Sequence, residues 1–226
     1  MDVLDWIWAT QVPQNKKVTY ARYTLADRPE KTERYRCRIT GGGDQLDYDG
    51  DVSTKTAALN TFKMLLNSVI STKGAKLCTG DISNMYLYSW LKDHEYVKFK
   101  VDLIPSRIMA HYNLTPMIHN GYVYARIKKA WYGLKQSGKI AHDDLVLHLA
   151  SYGYHKVPFT EGLFKRETKD IAFTLVVDDF AIKYTSKADH LITCMRAKYP
   201  FKVDWDAKQY IGIDPINERI CKTRPY

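Results

Sequence analysis

The chain has 226 residues, 45% of them hydrophobic and 26% charged, ordinary proportions that exclude a disordered tail or a fibrous repeat and allow a substantial core. Its 34 Lys and Arg against 25 Asp and Glu leave a net charge of +9, which fits a solvated basic surface or a polyanionic partner such as nucleic acid. The 17 tyrosines pair an apolar ring with a polar tip, which suits half-wet grooves and base stacking as well as ordinary core edges.

The opening segment, MDVLDWIW, carries Asp2 and Asp5 where a secretory leader would be basic. The four cysteines, Cys37, Cys78, Cys194 and Cys221, form no CxxC pair, so reduced thiols in an intracellular protein, cytoplasmic or nuclear and not secreted, are expected. Residues 15–38 hold eight Lys or Arg against three acids. Within them Arg34, Arg36 and Arg38 alternate with Tyr35, Cys37 and Ile39, which predicts a strand with three guanidinium groups on one face. The plain reading is a solvated edge strand and the sharper one a phosphate-binding strand. GGGD at 41–44 ends it and, lacking Walker spacing and its Lys, is expected to be a flexible loop.

Residues 56–72 predict a helix, with Ala58, Phe62, Leu65, Leu66 and Val69 as a core stripe and Lys73-Gly74 as its stop. AKLCTGDI predicts a short strand ending at Asp81, followed by a helix-like segment carrying Ile82, Met85, Tyr86 and Leu87. Residues 93–120, with Pro105 and Pro116, read as mixed loop and short helix. The longest uncharged stretch lies between Arg107 and Arg126, and its Asn113, Pro116, Asn120 and Gly121 mark loops rather than a membrane span.

Val123, Ala125 and Ile127 alternate with polar residues as a strand, and Gly133 with Gln136-Ser137-Gly138 turns the chain into a helix over about 139–152. Residues 121–141 hold five basic residues and no acid, interleaved with Tyr122, Tyr124, Trp131 and Tyr132. A solvated face is the plain reading, and a groove that tracks a nucleic-acid strand is the functional one. Two alternating runs around Asp178-Asp179 predict a β-hairpin with both acids at its tip. A helix over 187–199 and a last short strand at Tyr210–Ile213 complete the reading.

The acids carry the chemistry. Asp178 and Asp179 repel each other in an otherwise apolar hairpin, with nothing basic between Thr174 and Phe180. An exposed turn is one reading; a site for a hard divalent cation such as Mg²⁺ is the other. A two-metal site needs a further acid, and Asp81 is the best candidate. The seven histidines show neither HxxxH nor HExxH, which disfavours zinc, and no GxSxG occurs. A glycosidase-like carboxylate pair stays open on the residues alone, but leaves the basic aromatic stretch unexplained.

GDISNMYL, WYGLKQSG and FTLVVDDF, in this order and spacing, resemble the reverse transcriptase domain of long-terminal-repeat retrotransposons, especially copia-like elements. The run VPQNKKVTYARYTLADRPEKTERYRCRITGGGDQLDYDGDVST resembles the fingers region of such polymerases, and the likeness covers roughly residues 10–215. It implies an α+β fold: a right-hand polymerase palm, an antiparallel sheet backed by helices, with a fingers subdomain. Residues 1–75 and 90–138 would be fingers, and 76–89 and 139–226 palm. The family's thumb would follow Tyr226, so a fragment is expected.

The activity implied is RNA-directed DNA polymerisation, in which dNTPs are added to the primer of an RNA or DNA template–primer by two-metal nucleotidyl transfer. By resemblance, the catalytic residues are Asp81, Asp178 and Asp179, and two Mg²⁺ (or Mn²⁺) ions are held by Asp81, Asp178 and the backbone carbonyl of Ile82. Tyr86 matches the aromatic that stacks under the incoming sugar and excludes a 2′-hydroxyl, and Gln136 matches a nucleotide contact. Arg36 or Arg38 would hold the triphosphate, and Tyr210–Ile213 resembles a primer-grip strand. Lys135 before Gln136 follows the copia-like pattern, where many retroviral enzymes carry Pro. The rivals are a catalytically inactive transposon-derived remnant that only binds nucleic acid, and a palm-type polymerase copying RNA into RNA, which Tyr86 as a sugar gate disfavours.

Overall fold

Alternation with a period of two dominates this chain, and in the computed structural model, which describes residues 2–29 and 33–213, it produces two sheets and few helices. In chain order the strands are β1 (Leu4–Ile7), β2 (Val18–Asp27), β3 (Tyr35–Gly41), β4 (Lys76–Ile82), β5 (Trp90–Lys100), β6 (Tyr122–Lys129), β7 (His155–Lys156), β8 (Leu163–Arg166), β9 (Ile171–Val176), β10 (Asp179–Tyr184) and β11 (Phe201–Asp204). The helices are α1 (Leu59–Ser71), α2 (Ser106–His111), α3 (Ser137–Ser151) and α4 (Asp189–Arg196). The α+β class is as expected. The chain divides into two units, Met1–Val52 with Tyr86–Ala141, and Ser53–Met85 with His142–Tyr226.

The first unit is built on a five-stranded sheet ordered β1-β6-β5-β2-β3, parallel between β2 and β5 and antiparallel elsewhere. Strand β6 buries Val123, Ala125 and Ile127 in a core with Val97, Phe99 and Trp131, as its alternation predicts. Strand β5 corrects the loop-and-helix reading of 93–120, since it runs from Trp90 to Lys100 before the short α2. Its register shifts between Trp90 and Glu95. That bulge breaks the alternation across Lys92, Asp93 and His94, which is why the run does not read as a strand.

GGGD is also corrected: Gly41, Gly42 and Gly43 are buried, not a flexible loop. Gly41 N donates to the Tyr132 carbonyl at 2.7 Å, and Gly42 N to the Tyr20 carbonyl at 3.1 Å. A Cβ at Gly133, where φ is +94°, would lie 2.0 Å from the Gly41 carbonyl oxygen. Only glycine permits that backbone-to-backbone approach.

The second unit carries a six-stranded antiparallel sheet ordered β11-β4-β10-β9-β8-β7. Strand β11 has no counterpart in the sequence reading; four residues that include Lys202 and Asp204 give too short a pattern. On one face, Phe164, Phe173, Phe180 and Phe201 form a ladder with successive ring centroids 5.2 Å apart. On the other, Phe62, Leu65, Leu66 and Val69 of α1 pack with Leu77 and Ala181. The α1 stripe is therefore core, although Ala58 caps the helix instead of joining it, and α1 belongs with this unit, which takes up the chain from Ser53, rather than with Met1–Val52.

Helix α3 starts at Ser137 and buries Ala141, Leu145 and Leu149. Helix α4 spans only Asp189–Arg196 of the expected 187–199 and buries Leu191, Ile192 and Met195. The helix-like segment after Asp81 is a single short 3-10 helix, Met85–Tyr88. Tyr210–Ile213 is a tight turn, not a strand: Tyr210 and Ile213 exchange backbone hydrogen bonds, with positive φ at Ile211 and Gly212. Cys37, Cys78 and Cys194 are free thiols, while Cys221 lies outside the described residues. Among the described residues no helix is long and apolar enough to cross a membrane.

Candidate functional site

Strands β9 and β10 meet in a two-residue loop, Val177-Asp178, because Val176 pairs with Asp179. Such tight hairpins need φ > 0, and Val177 supplies it at +57°. A β-branched residue in that region is strained, and strain of this kind collects at functional turns. Asp178 thus occupies the turn, and Asp179 is the first residue of β10. On the far side of β10, Asp179 is the register partner of Asp81 on β4. Paired residues in an antiparallel ladder face the same way, about 4.5–5.5 Å apart at Cβ. The Ile82 amide donates to the Asp178 carbonyl at 3.0 Å and carries the ladder up to the turn. Sheet register therefore sets Asp81 beside Asp179 across almost a hundred residues of chain, with Asp178 in the adjoining turn.

Gly80 holds this row in place from the opposite face. A Cβ there would lie 2.2 Å from the Phe201 ring, so only glycine lets the phenylalanine ladder pass over β4. The sequence shows no cation near Asp81, but β11 places Lys202 as its register partner on the free side. The row across the sheet is Lys202, Asp81, Asp179, Val176. Sequence reasoning missed Lys202 because nothing local marks β11 as the neighbour of β4.

Burial raises the Asp179 carboxyl to about 6, helped by the charges of Asp178 and then Asp81. The side chains are not a ready-made cage: among the described residues no three His, Cys, Asp or Glu groups are gathered as a metal site. Like-charged carboxylates repel unless a cation lies between them. The donor set is nevertheless suited to a hard ion, being all oxygen, and a cation would relieve the share of the Asp179 shift that Asp178 and Asp81 add to burial. Tyr210 packs in the same unit, its ring 4.7 Å from Phe62 and its hydroxyl 3.1 Å from Thr174 Oγ1.

The remaining candidates lie in the first unit. Tyr86 lies in the 3-10 helix, and its ring centroid is 5.0 Å from that of Tyr132. The Arg38 guanidinium sits over Tyr132, 5.4 Å from its centroid, so Arg38, Tyr132 and Tyr86 form one ladder. Arg36 is two residues further out on edge strand β3, its side chain in no hydrogen bond or ion pair among the described residues. Arg34 precedes the strand and is bonded to Asp27 at 2.9 Å, so it does not complete the arginine face. Its place is taken by Arg22 of β2, paired in register with Thr40 and therefore on the face of Arg36 and Arg38.

Gln136 is tied down more firmly than its sequence suggests. It caps α3 through its carbonyl, which accepts from Ile140 N at 3.0 Å. Its buried side chain donates to Glu95 Oε1, also at 3.0 Å. Ser137 clamps the preceding turn, donating to the Trp131 carbonyl at 2.7 Å and accepting from its amide at 2.8 Å.

The basic aromatic stretch at 121–141 does not form the open cationic groove its composition suggests. Arg126 pairs with Asp5 at 2.7 Å, and Lys128 with Asp2 at 2.5 Å and Asp5 at 2.7 Å. Lys129 lies over the Trp90 ring, and Lys135 donates to the Leu46 carbonyl. The acids come from β1 and the residues just before it, whose register beside β6 is invisible in a local count of charge.

The model of the family described as reverse transcriptase (RNA-dependent DNA polymerase) matches residues 7–222.

Proposed function

The chain belongs to the reverse transcriptase (RNA-dependent DNA polymerase) family, and on that premise we propose that its second unit is the palm and its first unit the fingers of a copia-like retrotransposon enzyme. The family's reaction is nucleotidyl transfer: the primer 3′-hydroxyl attacks the α-phosphorus of a dNTP and pyrophosphate leaves. In this reading Asp81 and Asp178, with the Ile82 carbonyl, hold two Mg²⁺ ions, and Asp179 is the third catalytic acid. Bound there, the ions would lower the pKa of the primer hydroxyl and neutralise charge on the leaving group. Arg38 takes the triphosphate rather than Arg36, because the ladder through Tyr132 ties it to Tyr86, the proposed sugar gate. Gln136 contacts the nucleotide, and the Tyr210–Ile213 turn takes the place of the expected primer-grip strand.

The observation that carries this reading is the register of Asp81 against Asp179, with Asp178 in the adjoining two-residue turn. The test is extension of oligo(dT) on poly(rA) with Mg²⁺. Asp81→Ala and Asp178→Ala should each lower incorporation about a thousandfold, the scale of losing a charge-stabilising group at a reacting centre. Incorporation unchanged in either variant would refute the assignment.

A further inference from the structure

Away from the aspartates, the second unit gathers cations around an imidazole. Arg166 ends β8, Lys169 lies in the turn that follows, and His190 is in the first turn of α4. Tyr152 and Tyr154 come from the chain just after α3. The Arg166 guanidinium is within bonding reach of both ring nitrogens of His190, at 3.1 Å from Nδ1, and the Tyr154 hydroxyl lies 3.0 Å from Nδ1. The Tyr154 and Tyr152 rings stand 5.6 Å and 6.4 Å from the imidazole. Gly153 leaves room for the arginine, since a Cβ there would lie 3.2 Å from Arg166 Nε. Among the described residues Arg166 is in no ion pair.

A guanidinium only donates hydrogen bonds, so the ring nitrogen that meets it is bare and the imidazole is neutral. Burial, then the charges of Arg166 and Lys169, hold the His190 pKa below its ordinary value. The other groups that sense Arg166 stay uncharged: burial pushes the Cys194 thiol up to about 12 and raises the Tyr154 hydroxyl further. Of the nearby acids, Asp170 accepts from Thr185, Asp189 acts on Tyr184, and Glu167 is exposed. A half-buried guanidinium set against an imidazole instead of a carboxylate is costly, and an anion would relieve that cost.

We propose that Arg166, Lys169 and His190 form a phosphate-binding site of the second unit, opened when His190 takes up a proton. A protonated ring has no acceptor left, so Arg166 must release it. The two side chains then offer N–H donors of like charge, with Lys169 close by, and an anion holds them together. The forked donors of Arg166 match two oxygens of a phosphate, a fit that chloride cannot use. Proton and anion are linked, so each strengthens binding of the other. Free phosphate and a nucleic-acid backbone offer the same oxygens, and the experiment separates them.

The imidazole signals of the full chain are followed by NMR against pH in chloride, in inorganic phosphate and in oligo(dT), at equal ionic strength. His190→Gln assigns the signal. In phosphate the His190 midpoint should rise by about one pH unit, which is an about tenfold preference of phosphate for the protonated ring. Arg166→Met should abolish that rise. A rise in oligo(dT) alone identifies a nucleic-acid backbone as the ligand, and a rise in phosphate shows that the free ion suffices. No rise in either overturns the proposal, as does a rise that survives in Arg166→Met. Should that variant fail to fold, His119 and His155, which lie outside the cluster, decide: an equal response at all three histidines overturns the site.

Discussion

One row of the second unit sets like charges side by side, while the basic stretch of the first unit pairs its charges off. In the second, Asp81 and Asp179 stand side by side with Asp178 in the turn, and burial, with the two neighbouring charges adding to it, raises the Asp179 carboxyl to about 6. In the first, Asp5 lies against Arg126 and Lys128, and those hydrogen bonds, Lys128 first, hold its carboxyl below the usual range. The sequence makes both regions look like sites, one acidic and one basic. The difference teaches that density of charge along the chain does not mark a site; the way folding arranges the charges does. By that measure the first unit's counterpart to the aspartates is the face of Arg36 and Arg38, not the stretch at 121–141.

The largest structural effect should come from breaking the support of the acidic row. Gly80→Ala drives a Cβ into the Phe201 ring, which packs edge-on against Phe180, and should cost about 1–3 kcal/mol in urea unfolding. Full stability in that variant would show that β4 can move away and that the row is not held. On the paired side, Asp5→Ala leaves Arg126 and Lys128 without their shared acid and should lower Tm by about 2–4 °C. An unchanged Tm would mean that the pairing is incidental and the contrast weak.

Salt dependence separates the two basic regions. In fluorescence anisotropy with a template–primer, Arg36→Ala and Arg38→Ala should each reduce the slope of log K against log salt by about 0.7–0.9, the change expected when one phosphate is no longer neutralised. Arg126→Ala should leave the slope unchanged, because its charge is already met by Asp5. The reverse ranking would restore the basic stretch as the nucleic-acid groove.

The smallest effect is the most local. Asp178→Asn should lower the Asp179 carboxyl from about 6, and Asp81→Asn should lower it less, following the order of the two charges. Carbon-13 NMR of the carboxyl reads both. Because folding raises this pKa from 3.8, the native state holds the proton more tightly. The group's stabilising contribution is therefore present below about pH 4 and disappears as pH rises through about 6. Asp178→Asn should narrow that window, and an unmoved Asp179 would mean that burial alone sets its pKa.

Local pattern determined a good deal about this protein. Period-two runs identified β3, β6 and the β9–β10 hairpin, and the apolar stripes identified α1, α3 and α4, because side-chain direction follows from a few adjacent dihedrals. It also singled out Asp81, Asp178 and Asp179, since adjacent acids in an apolar hairpin and an acid closing a strand are costly without a purpose. Strand partners were decided only in three dimensions. That β4 lies between β10 and β11 sets Asp81 between Asp179 and Lys202; that β1 lies on β6 neutralises Arg126 and Lys128. That β5 bulges before Glu95 and still runs on brings a buried acid to Gln136. Neighbours of this kind come from closing long loops, and the sequence on either side of a loop carries no record of which distant strand its backbone will pair with.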